Sequence, residues 1–139
     1  MINKHSTVRV DTEGFCHVVN ITEEIQERVS ESSVNRGIVT VFVVGSTAGI
    51  TTVEYEPGLV QDLEDFYNKL VPPTLDYHHE KTWRDGNGFS HVRASLLKPS
   101  LVVPVDDGRM RLGTWQQIVI LDFDNRPRSR EIAVQIMGE

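Results

Sequence analysis

The sequence predicts an α+β fold: a single domain over residues 1–139, with a large mixed or antiparallel β-sheet and two or three helices. Three observations support this prediction. Segments that are rich in β-branched residues, or that alternate polar and apolar residues, recur along the whole chain. Two stretches show the 3.6-residue apolar period of a helix. The 139 residues contain no internal repeat, low-complexity tract or linker that would divide them.

The first two strands are expected at residues 6–11 and 15–19. Polar and apolar residues alternate in the first segment, which indicates a strand with one solvent-facing side. Gly14 interrupts the pattern, and the residue types at 11–14 are typical of a turn. The two segments are therefore predicted to pair as a β-hairpin.

The first helix is expected to begin at Asn20, which is a common N-cap type and has Glu23 three positions later as a capping-box partner. Ile21, Ile25 and Val29 follow at intervals of four and form one narrow apolar face. Residues 35–37 are expected to end this helix.

The middle of the chain predicts two more strands and a second helix. A nearly continuous β-branched run at 38–44 predicts a strand that is covered on both faces, and another strand is expected at 50–55. The second helix is expected to start near Pro57 and to end before Pro72. Its apolar residues form a broad helical stripe, namely Leu59, Val60, Leu63, Phe66, Tyr67 and Leu70.

A polar, aperiodic loop comes next, and strands complete the chain. Residues 74–90 combine histidines with Tyr, Trp, Asp and Asn, a composition typical of a functional loop. A short helix around Val92 and Leu96 is expected to stop before Pro99. The last strands are predicted at 101–105, 117–123 and 131–136, with a turn at 106–108.

Charge and composition argue against several classes of function. Twenty acidic and fourteen basic residues give a net charge of −6, which disfavours nucleic acid because phosphate backbones are repelled. No apolar run approaches the roughly 20 residues that cross a bilayer, and residues 1–6 lack the apolar core of a signal peptide. The lone Cys16 cannot form an internal disulfide and is expected to be buried. A cytoplasmic protein with no nucleic-acid or membrane partner is predicted.

Three histidines, His78, His79 and His91, lie within one short stretch of the sequence. Neighbouring side chains on an extended backbone point to opposite faces, so only one of the first two can face His91. Neutral imidazoles suit zinc and similar divalent metals, and Asp85 or Glu54 would complete a ligand set. The spacing alone nevertheless favours surface or hydrogen-bonded loop histidines.

Two loops carry groups that can bind ligands. Asp85 and Asn87, in a glycine-containing loop, supply oxygen ligands or acceptors, or else bond their own backbone in a tight turn. In the loop 45–49, Ser46, Thr47 and the backbone amides can hold an anion, although a structural turn is the more common explanation.

Arg126, Arg128 and Arg130 alternate with Pro127 and Ser129. On an extended segment all three arginines would project to one side and could form a phosphate-binding fork. The alternative is a solvated loop whose arginines pair with surface carboxylates.

Longer motifs point to a known family. The most specific is Leu-Gly-Thr-Trp-Gln at 112–116, followed by Asp-containing and Pro-Arg segments. Further matching segments stand at 45–54, 77–79, 87–95 and 99–101. In content and order these motifs resemble the YjbQ family, also called the secondary thiamine-phosphate synthase family, and the resemblance covers almost the whole chain.

The resemblance implies an α+β fold assembled as a homotrimer. It also implies pockets near subunit boundaries that hold a divalent metal, zinc or magnesium, or an anion such as a small phosphorylated molecule. The implied reaction, regarded as a secondary activity, is that of a thiamine-phosphate synthase. It joins a hydroxymethylpyrimidine diphosphate to a thiazole phosphate and releases pyrophosphate.

The resemblance also implies roles for individual residues. His79 and His91 are the expected metal ligands and, with Glu54 and Asp85, the expected catalytic residues, whereas His78 falls between the pattern positions and is expected at the surface. The residues expected to bind substrate are Ser46, Thr47, Asn87, Arg93, Trp115, Gln116, Arg126 and Arg128. For Trp115 and Gln116, a packed side chain and a sheet-edge side chain are the structural alternatives.

Two positions depart from the pattern of the family. Gly45 stands where many relatives have a histidine, and Phe89 stands where many have a second histidine two residues before His91. Each missing imidazole removes a potential zinc ligand or acid–base group. The alternative functions are therefore a divalent-metal or anion-binding protein without efficient catalysis, or a metal-dependent phosphate-ester hydrolase.

Overall fold

The computed structural model describes residues 1–139, which form eight strands and four helices. The strands are β1 (Ile2–Thr12), β2 (His17–Asn20), β3 (Arg36–Val44), β4 (Ala48–Glu54), β5 (Ser100–Asp106), β6 (Arg109–Met110), β7 (Gln116–Asp122) and β8 (Arg128–Gly138). The helices are α1 (Thr22–Ser32), α2 (Pro57–Leu70), α3 (His79–Trp83) and α4 (Gly88–Leu97).

The strands form two sheets in which every pair is antiparallel. The larger sheet has the order β1-β8-β3-β5-β6, and the smaller has the order β2-β7-β4. The predicted α+β class is confirmed, with one helix more than expected. The extra helix, α3, has only five residues, too few for an apolar stripe to develop in the sequence. None of the helices has both the length and the apolar character to cross a membrane.

The main core lies between the two sheets and is closed by α1. Val41 and Ile132 point inward from the larger sheet and Ile120 from the smaller one. Ile25 and Val29 of α1 are fully buried against them, which confirms the narrow apolar face expected for this helix.

A second apolar cluster covers the other side of the smaller sheet. Phe123, just after β7, packs with Tyr67 of α2 and Ala94 of α4. The stripe predicted for α2 is covered only in part, because Phe66 and Leu70 are more than half exposed. Strand β7 is thus buried on both faces, and its carboxyl end lies inside the protein.

The predicted N-terminal hairpin is wrong. Strand β1 pairs with β8 in the larger sheet, whereas β2 pairs with β7 in the smaller one. The alternating pattern of β1 specifies a buried face, but it does not specify a partner strand. At Gly14 (φ +80°) an added Cβ would lie 2.4 Å from the carbonyl oxygen of Asp124, so the chain turns there in close contact with the end of β7.

The predicted boundaries of the first helix also need correction. With Asn20 as the N-cap the helix would start at Ile21, but it starts one residue later, at Thr22. The Asn20 side-chain oxygen still accepts a hydrogen bond from the Thr22 amide (3.1 Å). It ends at Ser32, because Ser33 adopts a left-handed conformation (φ +63°). Gly37, expected at the helix end, lies instead in β3.

Strand β3 is covered on one face only within this chain. Val39, Val41 and Val43 are fully buried, whereas Ile38 and Phe42 are 43% and 42% exposed. The prediction that both faces of this strand are covered is therefore wrong within one chain. Its outer face leaves an apolar surface exposed on the larger sheet.

Candidate functional site

The structure brings His79 and His91 together. His79 opens the short helix α3, and His91 lies in the first turns of α4. Their ring centroids are 4.4 Å apart, with 35° between the ring planes. His79 Nδ1 lies 3.4 Å from Glu80 Oε1 and 3.5 Å from Asp85 Oδ1. We call His79, Glu80, Asp85 and His91 the histidine site.

The loop between α3 and α4 holds these side chains in place. Arg84 (φ +53°) and Gly86 (φ +68°) turn the backbone sharply. The Asn87 amide donates to Asp85 Oδ1 (3.2 Å), and the Gly88 amide donates to Glu80 Oε1 (3.0 Å). Each carboxylate therefore has one oxygen that accepts a backbone hydrogen bond and also lies beside His79, so the turn and the candidate site are one structure.

Asn87 connects the histidine site to the end of β7. Its side chain is buried, and its Oδ1 accepts hydrogen bonds from the Ser90 hydroxyl (2.5 Å) and from the Asn125 amide (3.2 Å). The Asn125 side chain in turn donates to the Asp85 carbonyl oxygen (2.7 Å). Asn87, expected to bind substrate, has its oxygen occupied by these internal contacts.

A buried polar network lies next to this connection, and sequence reasoning missed its two aspartates. Asp122 accepts two hydrogen bonds from Arg130, Nε to Oδ2 at 2.6 Å and Nη2 to Oδ1 at 2.9 Å. Asp124 Oδ2 accepts from the Thr47 hydroxyl (2.8 Å) and from Arg128 Nε (3.0 Å). We call these five residues the aspartate network. Two aspartates at alternate positions at the end of an apolar strand were the available sequence signal.

One oxygen of this network has no partner. Both Asp122 and Asp124 are fully buried, and Asp124 Oδ1 is the one buried side-chain polar atom of the chain without a hydrogen bond. Burial alone would raise the pKa of Asp124, but the Thr47 hydroxyl, the Arg128 charge and the nearby Asn87 side chain outweigh it and lower the pKa. Asp124 is therefore a carboxylate with one oxygen that accepts no well-formed hydrogen bond, an acceptor that a ligand could use.

His91 lies within electrostatic range of this carboxylate. Burial and the neighbouring His79 lower the pKa of His91, and the carboxylates of Asp85, Asp124 and Glu80 offset the effect only in part. The ring of His91 is neutral at pH 7, which is the form that binds a metal or accepts a proton.

The donor atoms of the histidine site suit a divalent metal. Ligand atoms of His79, Glu80 and Asp85 all lie within 4.8 Å of one another. A mixture of imidazole nitrogen and carboxylate oxygen fits zinc, whereas magnesium prefers oxygen ligands alone. Of the two metals expected from the sequence, zinc fits these residues better.

A cavity of about 250 Å³ opens beside His91. Gly45, Ser46, Ser95 and Pro99 are among its lining residues. An added Cβ at Gly45 would lie 2.7 Å from Arg130 Nη1, so the glycine leaves room for the buried guanidinium. Ser46 is exposed at this cavity, whereas the Thr47 hydroxyl is already used by Asp124 and Arg130.

Three of the expected site residues lie elsewhere. Glu54 ends β4 and pairs with Gln116, while the histidine site lies near the start of this strand. Six residue steps at about 3.3 Å place Glu54 roughly 20 Å along the strand from Ala48. Trp115 is 72% exposed beside this far end. Glu54 therefore does not join the histidines, and Trp115 and Gln116 do not line their cavity.

The arginines expected to bind substrate differ in their surroundings. The Arg93 guanidinium is buried, donates twice to the Val71 carbonyl oxygen at the end of α2 and lies over the Phe89 ring at 5.0 Å. This structure does not support a substrate-binding role for it. Arg126 is exposed without an ion pair, and Arg128 is one-third exposed, with both terminal nitrogens free of hydrogen bonds within the chain.

Comparison with known proteins gives consistent matches over nearly the whole chain. The sequence profile of the family described as "UPF0047 protein YjbQ-like" matches residues 6–139. A UPF0047 protein of Archaeoglobus fulgidus is 39% identical over 86% of this chain and 90% of its own length. The UPF0047 protein YjbQ of Escherichia coli O157:H7 is 33% identical over 98% of this chain and 97% of its own.

Solved structures show the same fold. The crystal structure of a YbjQ-like protein of unknown function from Sulfolobus solfataricus P2 matches with a TM-score of 0.93 and 31% identity, covering 99% of this chain and 98% of that one. A hypothetical protein from Aeropyrum pernix K1 matches with a TM-score of 0.91 and 30% identity, covering 98% of this chain and 99% of that one.

Proposed function

The chain belongs to the UPF0047 family of YjbQ-like proteins, and from this premise we propose that it is a metal-dependent enzyme that acts on phosphorylated heterocycles. The proposed reaction is the thiamine-phosphate synthase reaction, as a secondary activity. The observation that carries the proposal is the convergence of His79, His91 and Asp85 beside Asp124, whose buried Oδ1 has no partner.

The reaction places specific demands on the protein. The carbon–oxygen bond between the pyrimidine methylene group and its diphosphate breaks, and the thiazole nitrogen bonds to that carbon. Negative charge builds on the leaving pyrophosphate, and fixed positive charge lowers the barrier to this step. A divalent cation, when bound, supplies such charge.

The chain's own residues can meet these demands. His79 and His91 would hold the cation, with Asp85 and Glu80 as carboxylate ligands. Arg128 would bind the leaving pyrophosphate through its two free terminal nitrogens, while its Nε stays fixed on Asp124 at 3.0 Å. The small cavity beside His91 offers space for part of a substrate.

Assembly as a homotrimer belongs to the same proposal. The outer face of the larger sheet exposes a set of apolar side chains that are 37% to 56% accessible, namely Ile38, Phe42, Val44, Val102 and Met137. They lie on the neighbouring strands β3, β5 and β8. A continuous apolar face of this kind marks an interaction surface, and a β-branched strand such as β3 is typically covered on both sides. Further copies of the chain would provide that cover.

A second candidate function is binding of a metal or anion without efficient catalysis. It is favoured by Gly45 and Phe89, which leave the site with two imidazoles, and by the Phe89 ring, which packs on Arg93. Hydrolysis of phosphate esters is a third candidate, since the same metal ligands would serve it.

Thiamine-phosphate formation from the two phosphorylated precursors, with zinc or magnesium added, tests the proposal. We expect turnover in the wild type and none in a folded His79→Ala/His91→Ala variant. His5→Ala/His78→Ala is the matched control and should keep full turnover, because both of its histidines lie outside the site. Metal binding without turnover in the wild type would favour the second candidate. Chelator-sensitive hydrolysis of 4-nitrophenyl phosphate, without synthase activity, would favour the third.

A further inference from the structure

A cleft of about 390 Å³ that combines apolar and charged groups lies away from the histidine site. It lies between β4 of the smaller sheet and β5 of the larger one, beside the short connection from α4 to β5. Leu97 and Leu112 contribute apolar surface, and Thr52 and Gln116 contribute polar groups. Its volume falls in the range of about 300–1,000 Å³ that is usual for small-molecule pockets. We call it the cationic cleft because Lys98 and Arg111 line it.

Two positive side chains, and no acidic ones, line this cleft. Lys98 and Arg111 are among its thirteen lining residues, none of which is Asp or Glu. Neither cation forms an ion pair, although the chain has a net charge of −6. Two unpaired cations in one concave surface, in an otherwise acidic protein, create a local field that attracts anions.

Lys98 has a backbone conformation that is usual only for glycine. Its φ of 85° and ψ of 152° lie in a region that residues with a side chain rarely occupy. Helix α4 and strand β4 fix this conformation: the Lys98 amide donates to the Ala94 carbonyl oxygen (2.9 Å), and the Lys98 carbonyl oxygen accepts from the Ile50 amide (3.0 Å). A glycine would satisfy the same two bonds, so the backbone role alone does not account for a lysine here.

From these observations we propose that the cationic cleft binds an organic phosphate monoester. Such a group carries about −1.5 to −2 charges near pH 7, which matches the two cations. Its organic part would lie on Leu97 and Leu112, and Gln116, held by a hydrogen bond to Thr52 (3.0 Å), would border it. The proposal does not depend on the activity of the histidine site.

Titration with phenyl phosphate, followed by NMR of the backbone amides, tests the proposal. We expect shifts at Ile50, Thr52 and Leu112, and tighter binding than for inorganic phosphate, benzoate or phenol. Removing one cation, in Arg111→Gln or in Lys98→Gly, should weaken binding about tenfold. Lys69→Gln, an exposed lysine at the end of α2, is the matched control and should bind as the wild type does.

The outcomes separate this proposal from the proposed function. Phenyl phosphate binding that survives in His79→Ala/His91→Ala but weakens in Arg111→Gln would support an independent cleft. Shifts confined to residues around His91, or equal affinity in wild type, Arg111→Gln and Lys98→Gly, would overturn it. Binding of inorganic phosphate as tight as that of phenyl phosphate would also overturn it, because the apolar lining would then contribute nothing.

Discussion

His79 and His91 stack against each other with 4.4 Å between their ring centroids, although twelve positions separate them in the chain. The pKa of His91 is lowered by its burial and by the neighbouring His79. His91 therefore stays available as a metal ligand at neutral pH.

Zinc is accordingly expected to stabilise the folded protein. A ligand at a hundred times its dissociation constant adds about 2.7 kcal/mol to the free energy of unfolding, if it binds the native state alone. Thermal unfolding with and without zinc should show a rise in Tm for the wild type and a much smaller rise for His91→Ala. Magnesium at the same concentration should give little change. An equal zinc-induced rise in His91→Ala would contradict the assignment of His91 as a ligand.

The aspartate network is expected to depend on Arg130. Replacing it by Met leaves Asp122 without its cation in the interior, where both aspartates are fully buried. Breaking such a buried pair from one side costs about 3–5 kcal/mol of folding free energy. Urea unfolding measures the loss. Arg126→Met, which removes an exposed arginine, is the control and should change stability by less than about 0.5 kcal/mol.

If Arg130→Met proves too unstable to purify, Arg130→Met/Asp122→Asn provides the second test. This variant removes one buried negative charge together with the cation, and it should be more stable than Arg130→Met alone. If the free energy of unfolding of the double variant is no higher than that of Arg130→Met, the Arg130 charge does not stabilise the Asp122 carboxylate.

Lys98→Gly is expected to stabilise the protein. The lysine sits at φ 85° and ψ 152°, and non-glycine residues in such regions cost about 1–3 kcal/mol. The greater freedom of glycine in the unfolded chain offsets part of this gain, so we expect a net increase of about 1 kcal/mol in urea unfolding. Lys69→Gly, in the last turn of α2, should instead lower stability, because glycine is unfavourable in a helix. A loss of stability in Lys98→Gly would mean that the lysine side chain outweighs the backbone strain.

The Cys16 thiol is expected to resist alkylation in the folded state. Burial raises its pKa from 9.0 to about 11. At pH 9 the folded protein therefore holds about one thiolate per hundred thiols, compared with about half in the unfolded chain. As pH rises, the unfolded state loses this proton before the folded state does. The contribution of Cys16 to the free energy of unfolding therefore declines between about pH 9 and pH 11. Mass spectrometry of iodoacetamide-treated protein, with and without urea, measures the difference. Equal rates would show that the thiol is accessible.

A charge on the outer face of the larger sheet is expected to dissociate the proposed trimer. Phe42→Glu places a carboxylate among exposed apolar neighbours on β3, and burying it at a subunit contact would be costly. Solution mass should fall from three chains of 15.7 kDa to one. Gln61→Glu, on the exposed side of α2, adds the same charge elsewhere and should leave the mass unchanged. A wild type that is a monomer at all concentrations would refute the trimer.

Much of the fold was predictable because strand and helix patterns are local. The β-branched run at 38–44 and the helix expected to start near Pro57 correspond closely to β3 and α2. Strand pairing was not predictable in the same way, since the alternation in β1 fits any partner that covers one face. Neither was the left-handed Ser33 that ends α1, because no glycine marks the position.

The candidate site was predictable in its histidines and not in its surroundings. His79 and His91 came from their residue type together with the family pattern. Predicting the buried Asp124 would have required knowing that β7 lies between two apolar layers, and only the tertiary structure shows this. The role of Arg93 was mispredicted for the same reason: its sequence neighbourhood does not show that its guanidinium is buried and donates to the carbonyl oxygen of Val71, the residue after α2.

The close approach of Gly45 to Arg130 restricts the order in which this site can change by substitution. A side chain at position 45 would meet Nη1 of a guanidinium that Asp122 and Thr47 already hold through its other nitrogens. Introducing a histidine at position 45 would therefore require the Arg130 guanidinium to shift away from its present place. The two positions are coupled, so the free-energy cost of a side chain at position 45 should depend on whether residue 130 is an arginine.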